Sequence, residues 1–489
     1  MKFRRGFCLF LTILIMMPLL MGQAFAQSGD PSVGQGCFSV DARSPLISDE
    51  KLLDTAQAVI LLELNTDTLV YAWNPDQSID PSGMNKIMTA LLALEYGDPK
   101  EIVTVTRYAL DSVKIGAVSA GLKAGEELTL KDLLYCMMVK SANDAAAVIG
   151  DYIGRKIAAL EGETLSKGLP RFVEQMNIRA TELGCTDTEF LNPTGLNVDN
   201  QHTTARDLAK ITLEALKNPL LYEMFCATSC TIPATNKSEQ REYVSSNYLI
   251  SRDTVKNQFD SRVLGGKTGS RSTTDRSLIS LAEQGEQRYL AVVMSAQATV
   301  TADGLSVKTY GSFEETRALL DVAFNRHAVT ELLRENKVMG QFMVQGGEND
   351  VIGCPASSIV ATLPTDANPL DVSYRCVLLE GGLTAPLKQG QVIGTIEVWF
   401  RSVCMGRCDL VAMFDVDQPG VNSYSMIPTA EEQARHLWTM ILLLGCIAVV
   451  LVFISWCLFL LLRRKLRMMQ VDRRRRLIEE GPKQKRRRK

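Results

Sequence analysis

The sequence predicts an α+β domain, followed by a small all-β domain and a C-terminal transmembrane helix. Three observations predict it. Over residues 45–330, strand-like stretches stand at both chain ends with helical stretches between them, as in a sheet assembled from both ends. Residues 335–425 hold short alternating stretches broken by Gly, Pro and Asp. Leu437 to Leu462 is uncharged and strongly apolar.

Each element follows from local pattern. Ala58–Leu64 and Thr68–Trp73 flank Asn65-Thr66-Asp67 and read as a β-hairpin. Lys86–Tyr96 has the wide apolar face of a buried helix. Thr129 to Asp132 starts a helix over Leu130–Met138 in the manner of a capping box. A second helix, Ala145–Ile153, comes after Ser141-Ala142-Asn143-Asp144. Phe172–Leu183 is helical and ends at Gly184, and Thr204–Leu216 is helical too. Ser277–Ala282 and Tyr289–Ala296 read as strands, and Phe313–Phe324 as the helix on which the domain closes. In the β-rich segment, Val392–Phe400 is the clearest strand.

Hydrophobic residues make up 46% of the 489 and charged residues 22%, within the range for globular proteins. Residues 1–26 read as a signal peptide: Lys2, Arg4 and Arg5, an apolar run from Phe7 to Met21, then Ala24-Phe25-Ala26. Residues 27–44 read as a linker. At about 1.5 Å per residue, Leu437–Leu462 can cross a ~30 Å hydrocarbon core with tilt. Arg463, Arg464, Lys465 and Arg467 follow, so the positive-inside rule predicts a single-pass membrane protein with the large domain outside. The tail 463–489 holds 14 Lys or Arg against 3 Asp or Glu, a charge of +11, which leaves −13 elsewhere in a chain of net charge −2. Such a tail is expected to be a cytoplasmic topology determinant that touches anionic lipid, not a nucleic-acid binder.

Of 12 cysteines, Cys8 lies in the leader and Cys446 and Cys457 in the apolar run. The nine that remain are an odd number, so at least one has no disulfide partner within the chain. Cys226/Cys230, Cys404/Cys408 and Cys354/Cys376 are the pairs the spacing suggests, with zinc as the competing reading of the two C-x3-C pairs. Cys136 and Cys185 sit in apolar helical patterns and read as core residues.

Three short motifs occur in order: Asp80-Pro81-Ser82-Gly83-Met84-Asn85-Lys86, Ser141-Ala142-Asn143, and Lys267-Thr268-Gly269. Singly, each has a plain explanation: a lysine snorkelling at a helix edge, a helix N-cap at Ser141 or Asn143, a solvent-facing strand end. Together they resemble the S-x-x-K, S-x-N and K-T-G set of penicillin-binding proteins. Asn192-Pro193-Thr194-Gly195-Leu196, His202-Thr203-Thr204-Ala205-Arg206-Asp207, Met176-Asn177 and Leu183-Gly184 are similar to the low-molecular-weight D-alanyl-D-alanine carboxypeptidases. The resemblance covers residues 45–330, and the following β domain fits it. It implies a β-lactamase/transpeptidase-like fold and action on peptidoglycan stem peptides ending in D-Ala-D-Ala, with β-lactams as ligands. It implies no metal or organic cofactor.

The chemistry of that family explains the residue types. A serine hydroxyl needs a base, and a lysine one helical turn later shares its face. Burial lowers the lysine pKa and makes it a usable base. By resemblance, Lys86 is the base, Ser141 passes a proton to the leaving group, and Asn143 holds the peptide amide. Lys267, Thr268 and Gly269 bind the terminal carboxylate and line the oxyanion hole. Three residues before Lys86, however, stands Gly83, which has no side chain to acylate. Ser82 is a possible substitute nucleophile, since i,i+4 side chains meet on a helix, but its hydroxyl would point about 100° away. A water activated by Lys86 is another route. The plainer expectation for Ser82 is a helix cap. Two readings stay open: an impaired serine-type carboxypeptidase, or an inactive membrane-anchored muropeptide sensor or scaffold.

Overall fold

A computed structural model describes residues 44–47, 50–196, 198–252, 258–301, 307–419 and 430–480. The expected signal peptide, most of the linker and the last nine residues of the tail lie outside the described residues. The main sheet has five antiparallel strands: β1 (Ala58–Glu63), β2 (Thr68–Trp73), β3 (Val263–Ser270), β4 (Asp275–Gln284) and β5 (Gln287–Gln297), in the order β2-β1-β5-β4-β3. It joins both ends of the domain, because β1 pairs with β5, Ile60 opposite Val292.

Both faces of this sheet are covered, which is why β1 from Ala58 to Leu62 and β5 from Tyr289 to Met294 are continuous apolar runs rather than alternating ones. On β1, Ala58, Ile60 and Leu62 face the helices; Val59 and Leu61 face the other way. On β5, Leu290, Val292 and Met294 share the first face, and Tyr289, Ala291 and Val293 the second. The helical side holds α1 (Lys86–Tyr96), α2 (Leu130–Met138), α3 (Asn143–Leu160), α4 (Leu169–Glu182), α5 (Ala205–Leu216) and α6 (Pro219–Cys226). The opposite face is closed by α7 (Gly311–Arg326), through Phe313, Leu319, Leu320, Ala323 and Phe324.

Helix ends follow local chemistry. Thr129 caps α2 by accepting from the Asp132 N–H at 3.0 Å. Gly184, at φ +71°, terminates the α4 turn and donates to the Thr181 carbonyl at 2.9 Å. The expected helix Ala145–Ile153 is longer in the structure, Asn143–Leu160. Its Gly154 reads as a helix weakness, yet a Cβ there would stand 1.9 Å from the Gly168 carbonyl oxygen, so the close helix–loop approach demands glycine.

After α7, His327–Leu333 pairs with Ile359–Pro364. A second five-stranded antiparallel sheet follows: β6 (Gly340–Phe342), β7 (Val351–Pro355), β8 (Val372–Leu378), β9 (Val392–Phe400) and β10 (Val403–Ala412), in the order β6-β7-β10-β9-β8. These sheets belong to one compact unit, which takes the chain to Met343 with Val351–Leu383 and Lys388–Asp415. The other unit holds Val344–Asp350, Thr384–Leu387 and the chain from Val416, including α8 (Ala430–Glu480). Within α8, Leu437–Leu461 is long and apolar enough to cross a membrane.

The suggested cysteine pairs are not disulfides; all six are free thiols. Cys404 and Cys408 lie on one strand, β10, so ~13 Å of extended chain separates them, beyond disulfide reach. Cys354 on β7 and Cys376 on β8 are three strand spacings apart. Cys226 faces Gly265, whereas Cys230 lies 3.9 Å from the Tyr135 carbonyl. Among the described residues, no cluster of three or more His, Cys, Asp or Glu is gathered for a metal.

Candidate active site

The site forms where the chain enters α1. Residues Ser82–Asn85 make a single 3-10 turn, and Lys86 begins the α-helix. Ser82 stands at φ +53°, a left-handed conformation that is strained for a residue with a side chain. Its N–H donates to Asp80 Oδ1 at 2.7 Å. Its carbonyl abuts Gly195, where a Cβ would lie only 1.6 Å away and where φ is +72°, so that contact and that conformation both require glycine. The Ser82 hydroxyl is buried and has no hydrogen-bond partner among the described residues.

Two sequence expectations are therefore corrected. Ser82 does not cap the helix: no side chain caps this turn. Nor does helical i,i+4 geometry relate Ser82 to Lys86, because Ser82 is not in an α-helical conformation. Its Cβ packs toward Gly269 on β3. Ser141 and Asn143 are not helix caps either; α3 begins after Ala142 with no side-chain cap.

Lys86 is only 2% exposed, so it does not snorkel. Its Nζ donates to Asn143 Oδ1 at 2.8 Å and to the Thr194 carbonyl. Burial pushes the Lys86 ammonium well below its ordinary pKa, and the neighbouring Lys267 cation pushes it the same way. The Thr194 carbonyl is held in place by its loop. Asn192 Oδ1 accepts from the Thr194 N–H, the Thr194 hydroxyl and the Gly195 N–H, at 3.1, 2.7 and 2.8 Å.

Ser141 is a second left-handed serine, at φ +64°. Its Oγ accepts from Lys267 Nζ at 2.7 Å. Lys267 also donates to the Thr268 carbonyl at 3.2 Å, and burial lowers its pKa to about 7. Thr268 Oγ1 lies 2.7 Å from Ser246 Oγ. Asn143 is fixed through the Val118 carbonyl, which accepts from its backbone N–H at 2.8 Å and from Nδ2 at 3.0 Å.

Gly83 faces this cluster. A Cβ built on it would stand 2.9 Å from the Thr268 carbonyl oxygen, 3.5 Å from Ser141 Oγ and 3.6 Å from Gly269 Cα. The structure thus gathers Gly83, Lys86, Ser141, Asn143, Lys267, Thr268 and Gly269, with Ser82 beside Gly269 in a left-handed conformation. Chemically the arrangement offers two buried amines, the hydroxyls of Ser141 and Thr268 and a strand edge, a set suited to holding a carboxylate and moving a proton. Sequence reasoning missed Thr194, Asn192, Asp144 and Ser246 as contributors. Asn192-Pro193-Thr194-Gly195 stood out as a motif, but a backbone carbonyl carries no residue signature. Ser246 has no sequence signal at all.

Comparison with known proteins finds two family profiles that match the chain. The profile of the family described as D-alanyl-D-alanine carboxypeptidase matches residues 48–298, and that of the penicillin-binding protein 5 C-terminal domain matches residues 329–418. The D-alanyl-D-alanine carboxypeptidase DacF of Bacillus subtilis is 26% identical over 76% of this chain and 88% of its own. DacD of Salmonella typhimurium is 27% identical over 82% and 94%. Among solved structures, penicillin-binding protein 5 of Haemophilus influenzae superposes with a TM-score of 0.55 at 27% identity, covering 74% of this chain and 98% of its own. Penicillin-binding protein 6B of Escherichia coli gives 0.52 at 25%, covering 76% and 99%.

Proposed function

Since the chain belongs to the D-alanyl-D-alanine carboxypeptidase family, we propose that it binds peptidoglycan stem peptides ending in D-Ala-D-Ala, and that it forms no acyl-enzyme at residue 83. One observation carries the reading: the polar groups that would handle such a peptide are assembled in a single buried cluster around a residue that has no side chain. In this reading, Lys267 and Thr268 take the terminal carboxylate. Asn143 holds the peptide amide, and backbone N–H groups at Gly83 and on β3 receive the scissile carbonyl. In this reading Ser82 is no substitute nucleophile, because its left-handed backbone takes it out of the helical i,i+4 relation to Lys86. Residues 45–330 carry this site, 335–425 accompany it, and 437–462 anchor the chain in the cell membrane with the basic tail inside. A β-lactam then binds without a covalent bond.

Titration calorimetry with an N-acylated D-Ala-D-Ala pentapeptide, paired with intact-mass analysis after penicillin treatment, tests this. Saturable binding that weakens about tenfold or more in Lys267→Met is expected, with no mass adduct on the natural protein. A penicilloyl adduct on the natural protein that disappears in Ser82→Ala would sink the non-acylating reading. A second reading is a membrane-anchored sensor or scaffold. It is favoured by the continuity of α8, which carries the apolar stretch Leu437–Leu461 on to Glu480 without a break.

A further inference from the structure

Around Gly83, the hydrogen-bond inventory is incomplete in a way that points to a reaction, an inference that rests on the binding reading above. A neutral lysine amine has two N–H bonds and one lone pair. Lys86 Nζ has two acceptors among the described residues, Asn143 Oδ1 at 2.8 Å and the Thr194 carbonyl. Both N–H bonds of the neutral amine are thereby used, and the lone pair is left to accept a proton. Ser141 is the counterpart. Its oxygen accepts from Lys267 at 2.7 Å, so its own O–H is left to donate, with no acceptor for it among the described residues. The hydroxyl without an acceptor stands 3.5 Å from the Cβ position of residue 83, and the base without a donor belongs to the same cluster through Asn143.

The same direction is lined by oxygen. The Cβ position of residue 83 lies 2.9 Å from the Thr268 carbonyl and 3.5 Å from Ser141 Oγ. A Cβ that close to a carbonyl oxygen is crowded, and without one the direction is left to a water standing farther out than the Cβ position, within reach of the oxygens that line it. Polar partners of this number and kind suit a water rather than an alkyl group.

We propose that a water held by the Thr268 carbonyl, Ser141 and Lys86 replaces the serine nucleophile, so that this protein hydrolyses the D-Ala-D-Ala amide directly, without an acyl-enzyme. The water oxygen bonds to the carbonyl carbon of the penultimate D-Ala, and its proton passes to Lys86 Nζ. The resulting oxyanion is received by backbone N–H groups. The C–N bond then breaks as Ser141 gives its proton to the departing amine, and Lys267 reprotonates Ser141. Proton exchange with solvent returns Lys86 to neutral and Lys267 to its starting charge. One water and one peptide become free D-Ala and a peptide shorter by one residue. No oxidant, reductant or cofactor enters the balance. The rate is modest: acyl-transfer machinery without its nucleophile retains about 10³–10⁴-fold over the uncatalysed reaction.

The test measures D-Ala release from the N-acylated pentapeptide with and without hydroxylamine, on the same protein whose peptide affinity is measured. Release is expected with no hydroxamate, because only an acyl-enzyme partitions between water and an added amine. Release per bound peptide should fall at least about tenfold in Gly83→Ala, whose methyl group intrudes on the water's place, and in Lys86→Met, with peptide affinity measured for each variant. Thermal melts check that the variants fold; were Lys86→Met not to, the hydroxylamine partition and Gly83→Ala decide by themselves. Binding without release would overturn the inference and leave the binding reading standing. Hydroxamate formation, or release lost in Ser82→Ala, would overturn it in favour of a serine nucleophile. Absence of any peptide binding would remove the binding reading itself.

Discussion

Ser82 and Gly83 stand side by side at the start of the turn that leads into α1, one with a buried hydroxyl and one with no side chain facing Ser141 and Thr268. The Ser82 hydroxyl is buried with no partner among the described residues, so it contributes a desolvation cost and no hydrogen bond. Ser82→Ala is expected to leave stability unchanged or raise it by about 1 kcal/mol, read from denaturant unfolding. Gly83→Ser brings its Cβ within 2.9 Å of the Thr268 carbonyl, so β3 has to give by a few tenths of an ångström. The variant is expected to acquire a penicilloyl adduct, slowly, by intact mass. Lys267 sets a pH dependence. Its folded pKa of about 7 lies below the ordinary 10.5, so between those values the unfolded chain holds a proton that the folded one has lost. Stability contributed by this group therefore rises with pH across that window, and the full penalty applies below about pH 7. Lys86, lowered in the same direction, adds to the slope. In Lys267→Met, the rise in denaturation midpoint from pH 7 to pH 10 is expected to be shallower. A bound carboxylate favours the charged amine, so peptide binding at pH 8 is expected to take up protons, seen in calorimetry across buffers of different ionisation enthalpy. That uptake should vanish in Lys267→Met.

At the scale of elements, the site depends on loops tied to helix starts. Asp144, in the first turn of α3, accepts from the Ala120 N–H at 2.9 Å, the Leu122 N–H at 3.1 Å, and the Ser119 hydroxyl at 2.6 Å. Those bonds hold the segment whose Val118 carbonyl fixes Asn143. Asp144→Ala leaves buried N–H groups unpaired and is expected to cost about 3 kcal/mol in unfolding free energy and to weaken peptide binding. Strands and helices were legible at this scale because burial imposes periodicity: β1, β2, α1 and α2 stand where their patterns place them. The extent of α3 was not, because Gly154 lowers helix propensity locally while the approach of Gly168 requires it. Cysteine spacing also misled, since a short separation along a strand is a long one in space.

For the whole molecule, the uncharged stretch Leu437–Leu461 followed by Arg463, Arg464 and Lys465 supports an anchor with an internal basic tail. Removing residues 430–489 is expected to move the protein from the membrane fraction to the soluble fraction with its peptide affinity unchanged. The sequence by itself determined the α+β class, the β-rich segment, the apolar stretch, the family, and the glycine three residues before Lys86, because periodicity, composition and motif order are properties of the chain alone. Only the tertiary structure decided that Lys86 and Lys267 are both buried, that Ser82 takes a left-handed conformation, and that the Thr194 and Thr268 carbonyls line the site. Burial, pKa and the direction of a backbone carbonyl arise from residues distant in sequence, and no local pattern encodes them.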